Sequence, residues 1–476
     1  MSQINTIFKN MSWLLISQII GSICGFIWTI LMARYLGVSE YGILGFAISL
    51  TGILGFTMDL GISTHIVRHI ATDYDSAPKY LGNAIPLKSL FACGTFILTL
   101  IILILMKSNE LTITVTLLLS IEMIAKSFMG LLQGSFQAFE EGKYQGIGNT
   151  ILNILLLIFI LITIFTDLGI YGIAISYILS NIIALTYAYY VLQKHITKPK
   201  FELDKDFCKK IIMYSLPFAI GGFLTSIYYS IDVVMLTELV GSYATGIYNA
   251  TYKLISILTL FYSVYNAVIF PVMSKFYKND EKLLFISFEK SIKYLMLIMI
   301  PIAISTMIYS TDIIQFIYGH EYDEASSVLS ILIWTVCLLF ISGPGNILLT
   351  AAHKEVAGAE MYFVAAVFNV ILNLFMIPNF SYNGAAVTTV LSDILIVLMQ
   401  SYLIYKIGYK LNKKLCIDVG KIIIASLILG ITLFFLKLNM WIALPVGIII
   451  YLVLIILLKF FDDDDKYVIK EILGKN

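Results

Sequence analysis

The sequence is poor in charge. Asp, Glu, Lys and Arg make up 13% of its 476 residues, against about 25% in an average soluble domain. Arginine is nearly missing: Arg34 and Arg68 are the two. No long polar stretch remains to build an ordinary catalytic domain, and the longest loops are short and lysine-rich. There is no GxxxxGK[ST] loop to cradle a nucleotide, no HExxH and no GxSxG element. The five cysteines, Cys24, Cys93, Cys208, Cys337 and Cys416, form no CxxC and no metal-ligand spacing, and read as small apolar filler. These absences exclude a disordered chain, a coiled coil, a nucleic-acid-binding module and an ATP-hydrolysing motor. They imply no cofactor, no metal and no enzyme.

Apolar residues are what the chain has instead, 59% of the total, with a mean hydropathy of +0.91. A soluble fold cannot hide so much apolar surface, so the chain reads as an all-α polytopic membrane protein. A helix rises about 1.5 Å per residue and the hydrocarbon layer is about 30 Å thick, so a span needs about 20 residues. Fourteen continuous apolar stretches meet that need, near residues 11–33, 41–61, 84–106, 111–133, 147–166, 170–192, 211–236, 246–270, 292–310, 326–350, 357–377, 384–405, 419–437 and 441–461. The runs are continuous rather than alternating, which favours helices over a barrel. The first has only Lys9 before it and no small-residue cleavage site after it, so it reads as an anchor and not as a signal peptide. With the N-terminus inside, the inner segments hold 26 of the 31 lysines and arginines and the outer segments hold Arg34, Lys107 and Lys437. Lys126 and Lys253 fall within spans. That bias places both termini in the cytoplasm of a cell-membrane protein.

The chain repeats itself. Gly37-Val38-Ser39-Glu40-Tyr41-Gly42-Ile43 matches Gly241-Ser242-Tyr243-Ala244-Thr245-Gly246-Ile247, and Gly172-Ile173-Ala174 matches Gly384-Ala385-Ala386. The offset covers six spans, an even number, so the copies share one orientation. Two parallel six-helix bundles around a central cavity follow, 1–193 and 211–406, joined by a basic cytoplasmic linker, 194–210. Two extra helices, 407–461, and a cytoplasmic tail, 462–476, complete the chain. In the tail, Asp462-Asp463-Asp464-Asp465-Lys466 resembles an engineered protease site but runs smoothly into a short polar helix with Val468, Ile469, Ile472 and Leu473 on one side, and reads as native.

Charge at membrane depth costs about 2.5–3.5 kcal/mol per group on insertion scales, so each instance needs a reason. Glu122 and Lys126 lie four residues apart at the middle of the fourth span, able to pair or to trade partners when substrate or a cation arrives. Asp232 and Lys253 fall in the outer halves of adjacent spans. Asp59 lies near His65, Arg68 and His69 at an inner span end, and Asp393 lies near the middle of the twelfth span. Arg34, Lys126 and Lys253, with Arg68 and Lys88 near the inner mouth, make a basic lumen suited to an anionic headgroup; an acidic lumen would suit an organic cation. Arginine adds bidentate phosphate contacts that lysine cannot make. Tyr228, Tyr229, Tyr248, Tyr252, Tyr262 and Tyr265 crowd the seventh and eighth spans, serving packing or sugar stacking. Gly343-Pro344-Gly345 is expected to kink the tenth span, as packing or as a hinge.

Ordered motifs along the first twelve spans carry a resemblance. They are Ala33-Arg34-Tyr35-Leu36-Gly37 with Glu40-Tyr41-Gly42; Asp59-Leu60-Gly61 with Arg68; Leu216-Pro217 with Asp232; and Gly246-Ile247-Tyr248 through Lys253-Leu254. Then come Phe270-Pro271-Val272; Tyr318-Gly319 with Glu321-Tyr322; and Asn369 through Asn373-Leu374, Ile377-Pro378 and Gly384-Ala385-Ala386. In these the chain resembles oligosaccharide flippases of the O-antigen translocase type, within the multidrug/oligosaccharidyl-lipid/polysaccharide exporter superfamily.

The resemblance implies a V-shaped pair of bundles that moves a polyprenyl-diphosphate-linked oligosaccharide from the inner to the outer leaflet by alternating access, driven by a proton or sodium gradient. It places the diphosphate near Arg34, Lys126 and Lys253, with Arg68 at the inner mouth. Asp59, Glu122, Asp232 and Asp393 would couple the ion or balance those bases. Expected partners are the lipid-linked oligosaccharide, membrane lipids, and glycosyltransferases or a polymerase of the same pathway, without nucleic acid. The competing readings are a multidrug or organic-cation antiporter, a peptidoglycan-precursor flippase, and a non-transporting scaffold of a polysaccharide assembly complex.

Overall fold

A computed structural model describes residues 3–409, 412–436, 438–461 and 465. The described residues are helical, with no strand. In chain order the α-helices are α1 Gln3–Asp59, α2 Ile62–Thr72, α3 Ala77–Leu105, α4 Glu110–Ala138, α5 Gly142–Thr166, α6 Gly169–Val191, α7 Lys205–Leu239 and α8 Ser242–Ser256. They continue with α9 Thr259–Asn279, α10 Glu281–Ile308, α11 Ser310–Tyr318, α12 Ala325–Ala351, α13 Glu355–Lys406, α14 Lys413–Leu436 and α15 Met440–Leu457. Among the described residues, ten helices are long and apolar enough to cross a membrane. Two further spans arise if Lys205–Ala219 with Gly221–Leu239, and Ser242–Ser256 with Phe261–Tyr277, each count as one. The chain is therefore an all-helical multi-pass membrane protein. The expected tail helix through Val468 and Ile472 lies outside the described residues.

The longest helices are broken by single residues. Gly37 interrupts α1 at φ 69°, ψ 175°, a conformation open essentially to glycine alone. Its repeat mate Gly241 has φ 122° between α7 and α8. Ser381 breaks α13 at φ 51°, ψ −135°. Through Gly343-Pro344-Gly345 α12 continues as helix, with Pro344 inside it. The two glycines serve close approach. A methyl group at Gly343 would lie 2.1 Å from the Tyr262 ring, and one at Gly345 would lie 2.4 Å from the Gln400 amide.

Two compact units divide the described chain, 1–250 with 370–382 and 251–369 with 383–476. In the first, α4 and α6 bury stripes of small hydroxyl residues, Thr116 and Ser120 on α4 and Ser176 and Ser180 on α6. Each hydroxyl donates to the carbonyl four residues earlier, so burial leaves no hydroxyl proton unsatisfied. Large side chains such as Leu105, Ile104 and Phe165 are exposed instead, as lipid contact requires. The repeat motifs meet in this unit. A methyl group at Gly42 would lie 1.8 Å from the Ser242 carbonyl oxygen, and one at Gly246 would lie 2.0 Å from that of Val38.

The linker 197–204 is mostly exposed but stapled to α3. Lys200 N–H donates to the Pro78 carbonyl at 3.0 Å and Asp204 N–H to Asn83 Oδ1 at 2.9 Å. Gly82 lets the Lys200 carbonyl approach, since a methyl there would lie 1.5 Å from that oxygen. Asp204 caps α7, accepting from the Asp206 and Phe207 amides. The Phe207 amide above all, with Lys79 beside it, holds the Asp204 carboxyl below the usual carboxylate range. The cap is therefore complete at neutral pH and weakens as pH falls through the depressed value.

In the second unit, α14 and α15 pack on α10, where Tyr451 donates to the Leu297 carbonyl at 2.8 Å. Asp465 meets the same helix. Asp465 is 1% exposed and pairs with Lys290 and, at 2.7 Å, with Lys293, and it accepts from Tyr294. Lys293 also pairs with Asp418 of α14 at 2.9 Å. The aspartate run thus contributes one buried, paired residue. Asp465→Asn should cost about 3 kcal/mol, the low end for a broken buried pair because Lys293 keeps Asp418. The readout is the thermal unfolding midpoint in detergent, and an unchanged midpoint would remove this structural role.

Candidate functional site

Asp59 ends α1, and the turn Leu60-Gly61 carries the chain into α2 with φ of 44° and 72°. Here the structure resolves an ion cluster that the sequence did not foretell. Asp59 pairs with Lys88 of α3, not with the nearby histidines or Arg68. The Lys88 ammonium also donates to Ser63 Oγ at 3.1 Å and to the Ser127 carbonyl of α4 at 2.9 Å. Its three protons thus meet three acceptors, which is what allows an ammonium 1% exposed to exist there. Arg68 is exposed, its guanidinium 4.8 Å from the centre of the Phe218 ring.

Along α4, Glu122 and Lys126 share a face but form no contact ion pair. Glu122 is buried and accepts from Asn181 Nδ2 of α6 at 3.0 Å. Lys126, one turn on, is exposed. Since α4 is one of the candidate spans, a basic group here is placed where it must either meet water in a cavity or carry a heavy cost in lipid.

Arg34 is exposed at the end of the first stretch of α1. Its neighbour Tyr35 explains part of the surrounding motif. The phenol donates to Asp167 Oδ1 and accepts from the Gly169 amide, both at 2.9 Å, clamping the turn between α5 and α6. Asp232 on α7 is buried. It accepts from Tyr248 of α8 at 2.9 Å and from Asn373 Nδ2 at 2.6 Å. In the second unit, Lys253 is exposed and Asp393 is half-buried.

Of the residues singled out from sequence, the structure thus joins Asp59 to Lys88, keeps Glu122 and Lys126 one turn apart on one helix, and leaves Arg34 and Arg68 exposed. As partners of these charges Asn181, Asn373 and Ser127 were not foreseen, although Asn373 lies in a motif quoted from the sequence. The available signal was the polar amide: an Asn inside an apolar span needs a partner, and a carboxylate in a neighbouring span is the strongest acceptor on offer.

Comparison with known proteins adds a family and a fold. The family described as "Polysaccharide biosynthesis protein" matches residues 7–277, more than half the chain, and the family described as "MatE" matches residues 217–375. An uncharacterized membrane protein of Methanocaldococcus jannaschii, MJ1068, is 29% identical over 273 residues, 56% of this chain and 54% of that protein; the chain therefore spans about half the length of that relative. The protein named "Probable low-salt glycan biosynthesis flippase Agl15" of Haloferax volcanii is 25% identical over 433 residues, 88% of each chain. Among solved structures, the lipid II flippase MurJ in its inward closed conformation superposes with a TM-score of 0.78 at 18% identity, covering 93% of this chain and 97% of that one. At that identity the likeness speaks for the fold.

Proposed function

The chain belongs to the polysaccharide biosynthesis protein family, and on that premise we propose that it is a flippase for a polyprenyl-diphosphate-linked oligosaccharide. It moves this lipid from the inner to the outer leaflet of the cell membrane by ion-coupled alternating access, without enzymatic chemistry. The observation that carries the reading is Lys126: an exposed lysine at the middle of an apolar span, in no contact ion pair among the described residues. A lysine facing hydrocarbon there would cost about 2.5–3.5 kcal/mol. A lysine lining a water-filled cavity would instead meet an anionic headgroup. Arg34 and Arg68, exposed in the same unit, and Lys253, exposed in the other, are the further bases assigned to that headgroup. The name of the Haloferax relative supports a glycan cargo.

The proposed architecture has fourteen spans. At 1.5 Å per residue the 57-residue α1 would reach about 85 Å, far beyond the hydrocarbon thickness, and Gly37 divides it in two. Ser381 divides the 52-residue α13 in the same way. Splitting both raises the upper count of 12 to fourteen. The repeat supports bundles at 1–193 and 211–406, a linker at 194–210, extra helices at 407–461 and a tail from 462, with both termini cytoplasmic. Asp232, whose carboxylate accepts from a phenol and an amide, is the favoured group for coupling a proton or sodium ion. Glu122, Asp59 and Asp393 are the other acidic groups assigned to coupling or balance. Glycosyltransferases or a polymerase of the same pathway would supply and consume the cargo.

The test is leaflet exchange of a fluorescent lipid-linked oligosaccharide in liposomes. Lys126→Ala and Lys253→Ala should each slow exchange at least tenfold with folded protein retained. Normal exchange in both variants removes the site assignment. The MatE match favours a second reading, an organic-cation antiporter; proton-driven efflux of a cationic dye without lipid exchange would establish it.

A further inference from the structure

A groove of about 600 Å³ runs between α3 and the start of α7. Its walls are Pro86 and Leu90 on α3 and Ile212 and Met213 on α7, with Lys205 and Lys209 at one end. We propose that this groove binds one anionic phospholipid of the cytoplasmic leaflet, its phosphodiester on Lys205 and Lys209 and an acyl chain against the apolar walls. The inference is independent of the cargo proposed above.

Three observations carry it. The apolar wall faces outward: Leu90 is 68% exposed and Met213 61% exposed, so the groove opens where hydrocarbon would meet it. The two lysines lie four residues apart and therefore on one face of α7. From Lys205 to Met213 the helix rises about 12 Å, passing from cationic to wholly apolar, the same order as in a phospholipid from headgroup to chain. Finally, among the described residues neither lysine is held in an ion pair. The nearby acid Asp204 is engaged by Lys79 at 3.8 Å and by the α7 amides. The remaining acids of the segment, Glu202 and Asp206, are exposed and are outnumbered by Lys198, Lys200, Lys205, Lys209 and Lys210. Basic pockets between spans on the cytoplasmic side are where anionic headgroups gather, at about 1 kcal/mol per lysine near the surface, or roughly fivefold in affinity. A lipid seated there would brace α3 against the start of α7, beside the staple that Lys200 and Asp204 make with the same helix.

The test uses the full chain with Trp13, Trp28, Trp334 and Trp441 replaced by Phe and a reporter at Leu216→Trp, one turn beyond Met213, so the groove lining is untouched. The protein is reconstituted in vesicles in which either phosphatidylglycerol or phosphatidylcholine carries brominated chains, and tryptophan quenching gives their relative binding. Phosphatidylglycerol should be favoured about fivefold or more. The preference should vanish in Lys205→Gln/Lys209→Gln, survive in Lys205→Arg/Lys209→Arg, and survive in Lys143→Gln/Lys354→Gln, which removes charge elsewhere. Equal quenching by both lipids, a preference that persists without Lys205 and Lys209, or one lost equally in the Lys143/Lys354 pair would overturn the proposal.

Discussion

Asp59→Asn should leave little folded protein, while Lys88→Met should leave enough to assay. The two residues form one pair, but they are not equally buried: Lys88 is 1% exposed and Asp59 26%. Replacing the carboxylate by an amide removes the one negative charge and leaves the buried ammonium with neutral acceptors only. That is the situation in which breaking a buried pair costs about 3–5 kcal/mol. Removing the lysine leaves a carboxylate that water reaches and that Ser63 still contacts, so the loss should fall nearer 1–2 kcal/mol, the penalty of an imperfectly satisfied polar group. The double variant Asp59→Asn/Lys88→Met has no charge to strand and should recover most of the loss. Thermal unfolding in detergent, with the yield of monodisperse protein, reads all three. Equal losses in the single variants, adding up in the double, would show that the pair is not the unit described. If the double variant folds, its exchange rate separates a structural pair from a coupling one.

Gly42→Val and Gly246→Val should each prevent assembly. The atoms they would strike are backbone carbonyl oxygens, 1.8 Å from a Cβ at Gly42 and 2.0 Å from one at Gly246. A side chain could rotate away from such a clash; a carbonyl in a helix cannot without moving the helix. The cost should exceed the ~1–3 kcal/mol usual for an overpacked core. Alanine already supplies the offending atom and should fail nearly as badly. Gly94 and Gly130 provide the control, since a Cβ at either meets nothing within 4 Å. Gly94→Ala should be neutral or stabilising by about 0.5–1 kcal/mol, because alanine favours the helix. If Gly42→Val purifies as well as Gly94→Ala, the close crossing is not a feature of the protein in solution.

The spans were legible because apolar length is a property of the chain read in order. Short helices were not. α2 and α11 have 11 and 9 residues, below any window set by bilayer thickness. Their sign was periodicity, with Ile62, Ile66 and Ile70 on the buried face of α2. The polar partners of the acids were hidden for another reason. Glu122 has Lys126 one turn away in sequence, yet its carboxylate meets Asn181 across a helix interface. Lys88 appeared to belong to the inner mouth and is instead buried against residues of three other helical segments. Sequence spacing reports neighbours on one helix, whereas in a bundle the decisive neighbours come from other helices. The same limit explains Gly343-Pro344-Gly345, where composition pointed to a hinge and the packing of Tyr262 and Gln400 uses the glycines as room.

The repeat motif holds one more consequence. At its offset of 204 residues, Val38 corresponds to Ser242 and Gly42 to Gly246. Gly42 lies against Ser242, and Gly246 lies against Val38. The contact is reciprocal: each copy offers its glycine to the other copy's first-turn carbonyl. Such self-complementarity is the hallmark of an isologous interface between identical subunits. A larger residue at position 42 would press on the helix that carries Gly246, and one at position 246 on the helix that carries Gly42, so one crossing answers to both positions.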